Sequence, residues 1–276
     1  MFQSLVAPTL KALVKRGCTR QSSAGASRKG IKRFYEKVKV DDSTVAETGS
    51  FQVLLDGRPI RSPAQSSLRL PTHDLAMAVA VEWDSVGELI EPSLMPMMTA
   101  VSTVTDHLPK NRELYYMELL KYLDTDTVSI RAPPSEGELH GLQAEKWDPI
   151  IQWMGDTLDC HMETTCMLGK KPAHHASARD VAEAHLQELN DFELQALFTF
   201  TTVVKSLSIG LALLHGQLSI HDGISAARLE EEYQIEQWGL VEGGHDVDRV
   251  HIAVQVASGR MLLRTLGGME LETEMV

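Results

Sequence analysis

Three aspartates in the middle of the sequence are the side chains most suited to acid–base chemistry. Asp124 and Asp126 stand two residues apart in the segment LDTDT, and Asp148 follows within EKWDPIIQW. Paired carboxylates can act as general acid and general base on a small soluble substrate. An aspartate beside a threonine is also a common way to cap a helix or close a turn, and this role is favoured for Asp124 and Asp126. An enzyme that uses Asp124, Asp126 or Asp148 stays the alternative.

The remaining reactive side chains form no recognised catalytic or metal-binding motif. The sequence has no Gly-rich phosphate loop, no Gly-x-Ser-x-Gly elbow and no His-Glu-x-x-His helix. Glu242 and His245 have the spacing found in di-iron bundles, but the two glycines between them favour a loop. Cys160 and Cys166 lack the close spacing of a zinc site, and with Cys18 they predict ordinary thiols in a reducing compartment. We predict no catalytic residue, no metal and no cofactor.

The stretch Ser225–Asp248 combines a strong helix pattern with a cluster of acids. Five apolar residues at helical spacing share one stripe: Ile220, Ile224, Ala227, Ile235 and Trp238. Glu231 falls in the middle of this stripe, whereas Glu230 and Glu232 point to its flanks. A carboxylate on an apolar face is expected to be ion-paired, protonated or available to bind a partner molecule, because burying an unpaired charge is costly. Glu231 is therefore either the partner of an arginine across the helix packing or the polar anchor of a binding groove.

The tryptophans raise a similar choice between packing and recognition. Three of the four lie within two residues of an acidic residue, at Trp83, Trp147 and Trp238. A tryptophan in a soluble protein is most often part of the core, but it is also a favoured anchor at protein interfaces. An acid-flanked tryptophan is thus compatible with docking of another protein.

The charge is distributed unevenly along the 276 residues. The chain has a formal net charge of −12, yet residues 1–30 carry six basic side chains and no acid. Removing those six positive charges leaves −18 for residues 31–276. A net charge this negative over residues 31–276 disfavours nucleic acid as a partner. Residues 1–30, which are basic and rich in Ser and Ala, are typical of a mitochondrial transit peptide. A disordered basic tail is the alternative for residues 1–30.

The elements that position these residues fall into two parts, which predict an α+β fold. Residues 31–95 alternate as short strands, with Asp56-Gly57 as a hairpin turn and a covering helix that starts after Thr72. We predict a small α+β domain over 31–95, with an antiparallel sheet and Trp83 beneath it. Residues 96–276 predict a larger all-helical domain.

One helical segment is long and apolar enough to require a membrane test. Leu194–Leu214 has 21 residues and a single charge, Lys205 near its middle. Its five serines and threonines and Gly210 make it only moderately apolar. The pattern favours buried core helices over a membrane span.

Five segments occur in order along about residues 31–265: KRFYEKV, LAMAVAVEWDS, LDTDT, EKWDPIIQW and RLEEEYQIEQWG, with His245-Asp246 after the last of them. In these segments the chain resembles the mitochondrial ATP synthase F(1) complex assembly factor 2 family, the chaperones of the F(1) alpha subunit. Ordered agreement of this kind is more specific than any one motif.

The resemblance implies a function as well as a fold. It implies a non-enzymatic chaperone of the mitochondrial matrix that binds the unassembled alpha subunit and prevents its aggregation before it pairs with beta. The family treats the acids of the LEEEY segment as functional, so Glu230 and Glu231 are the expected binding residues, and we add Trp238 and Asp246. No membrane span is expected, and the free protein is expected to be a monomer.

Overall fold

The computed structural model describes residues 31–43, 45–167, 172–174, 177–241 and 243–267. Short antiparallel strands occupy the N-terminal part of this region and helices form the rest, which confirms the predicted α+β class. The predicted transit peptide, residues 1–30, lies outside the described residues.

The strands are β1 (Ile31–Lys32), β2 (Val38–Asp41), β3 (Gln52–Leu55), β4 (Arg58–Pro59) and β5 (Leu89–Ile90). The helices are α1 (Val45–Thr48), α2 (His73–Asp84), α3 (Pro96–Asp106), α4 (Leu108–Leu123), α5 (Gly137–Leu158), α6 (Ala178–Glu188), α7 (Asp191–Val204), α8 (Leu207–Leu214), α9 (Ile220–Ala227), α10 (Leu229–Trp238) and α11 (His245–Thr265). Two short 3₁₀ turns, Pro92–Leu94 and Thr127–Ser129, join them.

The larger sheet is a three-stranded antiparallel unit in the order β2-β3-β4. Leu55 pairs with Arg58 across the turn, and both intervening residues have positive φ, 48° at Asp56 and 80° at Gly57. This is the geometry of a type I′ turn, whose twist matches that of the flanking strands. The hairpin predicted from Asp56-Gly57 is therefore confirmed.

Helix α2 covers this sheet and also connects it to the helical region. Thr72 caps α2 by accepting a hydrogen bond from the Leu75 backbone, as the sequence predicts. Trp83, near its end, packs edge-on against Tyr35 with ring centroids 5.6 Å apart. Glu82 accepts hydrogen bonds from the backbone N–H groups of Met97 and Met98, at 2.6 and 2.8 Å, and so caps α3. The predicted domain boundary near residue 95 stays a prediction.

The helical region is organised around α7, which packs against α3, α4, α8 and α11. Its apolar side chains Leu194, Leu197 and Phe200 are fully buried. Lys205, with φ of 56°, separates α7 from α8, so the long apolar segment forms two short core helices. Among the described residues no helix has the length and apolarity needed to cross a bilayer.

Two of the helices have features that need a local explanation. Helix α5 runs continuously through Pro149, a residue type that usually kinks or breaks a helix. Pro149 and Glu145, the residue whose carbonyl loses its donor, are both exposed, so water can replace the missing hydrogen bond. Helix α11 begins at His245, directly after two glycines, with Asp246 and Asp248 in its first turn. Acidic side chains stabilise the N-terminal end of a helix.

Candidate partner-binding site

Arg228 interrupts the single helix that the sequence predicts over Ser225–Trp238. Its φ and ψ of −103° and 9° end α9 and begin α10. The break shifts the phase of the apolar stripe: Ile220, Ile224 and Ala227 pack against the core, whereas the side chain of Trp238 is 79% exposed. The prediction of one continuous stripe through Glu231 is therefore wrong.

The guanidinium of Arg228 is the centre of the acidic cluster. It is almost fully buried and lies 2.8 Å from Glu231, 2.9 Å from Glu232 and 2.9 Å from Asp248. The contact joins Arg228 Nη1 to Glu231 Oε2 and is an ion pair without hydrogen-bond alignment, because Glu231 Oε2 has no hydrogen-bond partner among the described residues. Arg228 Nη2 is likewise buried without a hydrogen-bond partner there. One buried cation thus holds the first turn of α10 against the first turn of α11.

The two carboxylates flanking Glu231 have opposite electrostatic environments. Burial acts to raise the pKa of Glu232, but hydrogen bonds from Arg228 and Arg249 outweigh it and hold that pKa below its ordinary value. Burial raises the pKa of Glu230, and one hydrogen bond of 2.7 Å from the Gln143 side chain on α5 does not offset it. Glu230 therefore joins α10 to α5, whereas Glu232 joins α10 to α11.

Trp238 precedes the connection between α10 and α11 in the chain, and Asp246 follows it. Trp238 is the last residue of α10, and the exposed Asp246 lies in the first turn of α11. Leu240 and Val241 in the connection are 49% and 61% exposed. The structure thus places the four predicted site residues on α10 and the start of α11, where exposed apolar side chains occur among carboxylates.

Sequence reasoning missed the residues that hold these acids in place. Arg228, Asp248, Arg249 and Gln143 were not among the predicted site residues. The spacing of Arg228 to Glu231 and Glu232, three and four residues, is a signal of ion pairing on one helix face. The contacts with Asp248 and Gln143 join separate helices and have no local signal.

The three aspartates of the enzymatic alternative are each engaged in structural contacts. Asp126 is fully buried and accepts hydrogen bonds from Ser206, Ser208 and the Val128 backbone, so it caps the 3₁₀ turn and fixes the start of α8. Asp148 pairs with Arg131 at 2.8 Å. Asp124 forms the C-terminal cap of α4, 4.0 Å from Arg179. The capping role predicted for Asp124 and Asp126 agrees with this geometry.

These aspartates line neither of two cavities at the junction of α6 and α7. The cavities have volumes of about 560 and 340 Å³ and are lined by Leu189, Asn190 and Leu266, with Arg112 beside the first and His215 beside the second.

Among the described residues, no group of three or more His, Cys, Asp or Glu side chains is arranged so that it could hold a metal ion. His245 Nδ1 accepts a hydrogen bond from the Val241 backbone, and Glu242 lies outside the described residues. Cys160 is buried, and burial raises the pKa of its thiol to about 11, which keeps it protonated at neutral pH. Cys166 is exposed and unbridged.

Comparison with known proteins defines the class. The family model described as ATP12 chaperone protein matches residues 32–155. The mitochondrial protein atp12 of Schizosaccharomyces pombe is 26% identical over 263 residues, covering 90% of this chain and 88% of that protein. The mitochondrial ATP12 of Saccharomyces cerevisiae is 27% identical, with 80% of each chain covered.

A solved structure extends the match from sequence to fold. Atp12 from Paracoccus denitrificans superposes with a TM-score of 0.76 at 30% identity, covering 85% of this chain and 97% of that one. The class that fold and sequence define together is a chaperone. The chain belongs to the ATP12 chaperone family.

Proposed function

We propose that this protein is an assembly chaperone of the mitochondrial ATP synthase, which binds the unassembled F(1) alpha subunit in the matrix. Membership of the ATP12 chaperone family carries the proposal. The ordered motifs of the sequence support the alpha subunit as the partner, and the mitochondrial relatives together with the basic leader support the compartment.

The physical task follows from subunit assembly. An alpha subunit that has not yet paired with beta exposes an apolar interface, and such surfaces self-associate. A protein that covers this interface lowers the free concentration of the aggregating form by mass action. This requires an accessible, partly apolar surface and no chemical reaction.

We place the contact at Glu230, Glu231, Trp238 and Asp246. The high exposure of Trp238 and the exposed position of Asp246 support this assignment, since a large accessible ring beside carboxylates suits a partner with apolar and basic groups. Glu230 and Glu231 are each partly accessible despite their contacts with Gln143 and Arg228. The acidic body also disfavours self-association, so we propose a monomer when free.

Co-expression with each subunit tests the proposal. The full chain is expected to retain the alpha subunit on affinity purification and to leave beta unbound. A Glu230→Gln/Glu231→Gln variant should retain less alpha, and a Glu88→Gln/Glu91→Gln variant, which removes the same charge from exposed positions beside β5, should retain as much as the parent. Equal retention of beta, or of neither subunit, would refute the function; full retention by the first variant would refute the site.

A further inference from the structure

Helix α11 carries apolar residues on two faces, of which only one is used by the fold. Ile252, Val256 and Leu263 are buried on the inner face, where Gly259 allows the ring of Phe200 on α7 to approach closely. The outer face carries Val247, Val250 and Val254, spaced three and four residues apart and 62%, 63% and 45% exposed. Residues at this spacing form one stripe along a helix.

Valines on the exposed face of a helix do not contribute to the packing of the unbound protein. Valine is a weaker helix former than the charged residues that usually occupy exposed positions. Contiguous exposed apolar surface is typical of interaction sites. The outer face of α11 is therefore suited to contact with another molecule. The charged residues around this face indicate which kind of molecule can bind there.

The charge around the stripe selects the occupant. Residues 228–254 contain seven acidic side chains and two arginines, Arg228 and Arg249, so this segment carries an excess of five negative charges. An apolar segment flanked by lysine or arginine complements this surface. Two other occupants do not: residues 268–276 of the same chain carry three glutamates and no base, and a second copy would bring another strongly acidic body.

We propose that the outer face of α11, formed by Val247, Val250 and Val254, docks an apolar segment with basic flanks from the unassembled alpha subunit. This proposal rests on the proposed function for its partner and adds the surface and the chemistry of the segment that it binds. The valines would supply the buried area, and the surrounding carboxylates would orient the basic flanks and make binding sensitive to salt.

Binding measurements on the full chain test the surface. Val250→Asp should weaken binding of purified alpha subunit by about tenfold or more, because it places a charge inside the apolar contact. The control is Val81→Asp on the exposed side of α2, where the valine is 57% exposed; it should change the affinity by less than about twofold. Both positions are exposed, so thermal melts should show both variants folded. Equal affinity of Val250→Asp and the parent would overturn the proposal.

A photo-crosslinking residue identifies the occupant independently of affinity. Placed at position 250 of the full chain, it should link to a segment of alpha that contains apolar and Lys or Arg residues; placed at position 81, it should not. Cross-links from position 250 to residues 1–30, to residues 268–276 or to a second copy would overturn the proposal. A complex that forms without any cross-link at position 250 would do the same and leave the proposed function standing. Failure of alpha to bind at all would refute both.

Discussion

Arg228 and Glu231 form an ion pair of 2.8 Å within the first turn of α10, and the arginine is the buried member. The glutamate is 42% exposed along its side chain although its Oε2 atom is shielded from water. Of the two interpretations of Glu231, the structure shows the ion pair, with the arginine on the same helix instead of a neighbouring one. Such a carboxylate can neutralise Arg228 and still present an edge to a partner.

The Arg228 cluster should be far more sensitive to loss of the cation than to loss of one anion. Glu231→Gln should lower the free energy of unfolding by about 1 kcal/mol or less, because Arg228 keeps Glu232 and Asp248. Arg228→Gln should cost about 3 kcal/mol, since it leaves Glu231 and Asp248 without their counter-charge. Glu232, in contrast, keeps Arg249. Urea unfolding at pH 7 measures both. Equal costs would show that the cluster is not centred on Arg228.

The stability contributed by position 230 should depend on pH. Burial raises the pKa of Glu230 above its ordinary value, so its stabilising contribution is complete below that value and is lost as pH rises through the folded-state pKa. In Glu230→Gln the new amide oxygen can still accept from Gln143, and no charge is buried at neutral pH. The variant should match the parent near pH 4 and become the more stable of the two toward pH 7. Unfolding curves across that range measure the difference, and a variant that loses stability toward pH 7 would contradict the assigned direction.

Truncation to alanine should have little effect on stability at Trp238 and a large destabilising effect at Trp147. Trp238→Ala should change the free energy of unfolding by less than about 0.5 kcal/mol, because the side chain is 79% exposed. Trp147→Ala should cost about 3–5 kcal/mol, since that ring is fully buried and its Nε1 donates to the Ala226 carbonyl at 2.8 Å. Capture of the alpha subunit should fall in Trp238→Ala without any loss of folded protein. Undiminished capture would remove Trp238 from the proposed contact.

Replacing a helical glycine by alanine should destabilise the fold at Gly259 and stabilise it at Gly141. A Cβ at Gly259 would overlap the ring of Phe200, so Gly259→Ala should force α11 and α7 apart and cost about 1–3 kcal/mol. A Cβ at Gly141 on α5 meets no atom within 4 Å, so Gly141→Ala should stabilise by about 0.5–1 kcal/mol through helix propensity alone. Thermal unfolding of the two variants beside the parent provides the check. Stabilisation by Gly259→Ala would show that the two helices are not in close contact there.

Features that depend on neighbouring residues could be predicted from the sequence alone. The Asp56-Gly57 turn, the Thr72 cap and the capping by Asp126 follow from local backbone chemistry, and the helices from residue 96 onward follow from apolar periodicity. The family resemblance likewise depends on motifs read in order along the chain. These properties are encoded within a few residues of where they appear, so no knowledge of distant contacts is needed.

The tertiary structure alone decided the features that join distant parts of the chain. The pairing of β1 with β5 joins Ile31 to Ile90, and Asp126 reaches Ser206 and Ser208 across separate helices. The same holds for the break at Arg228, because its guanidinium is buried where Asp248 of another helix can neutralise it. A buried charge is stable only where the backbone geometry lets its counter-charges reach it. The periodicity of one helix contains no information about a carboxylate that a different helix contributes.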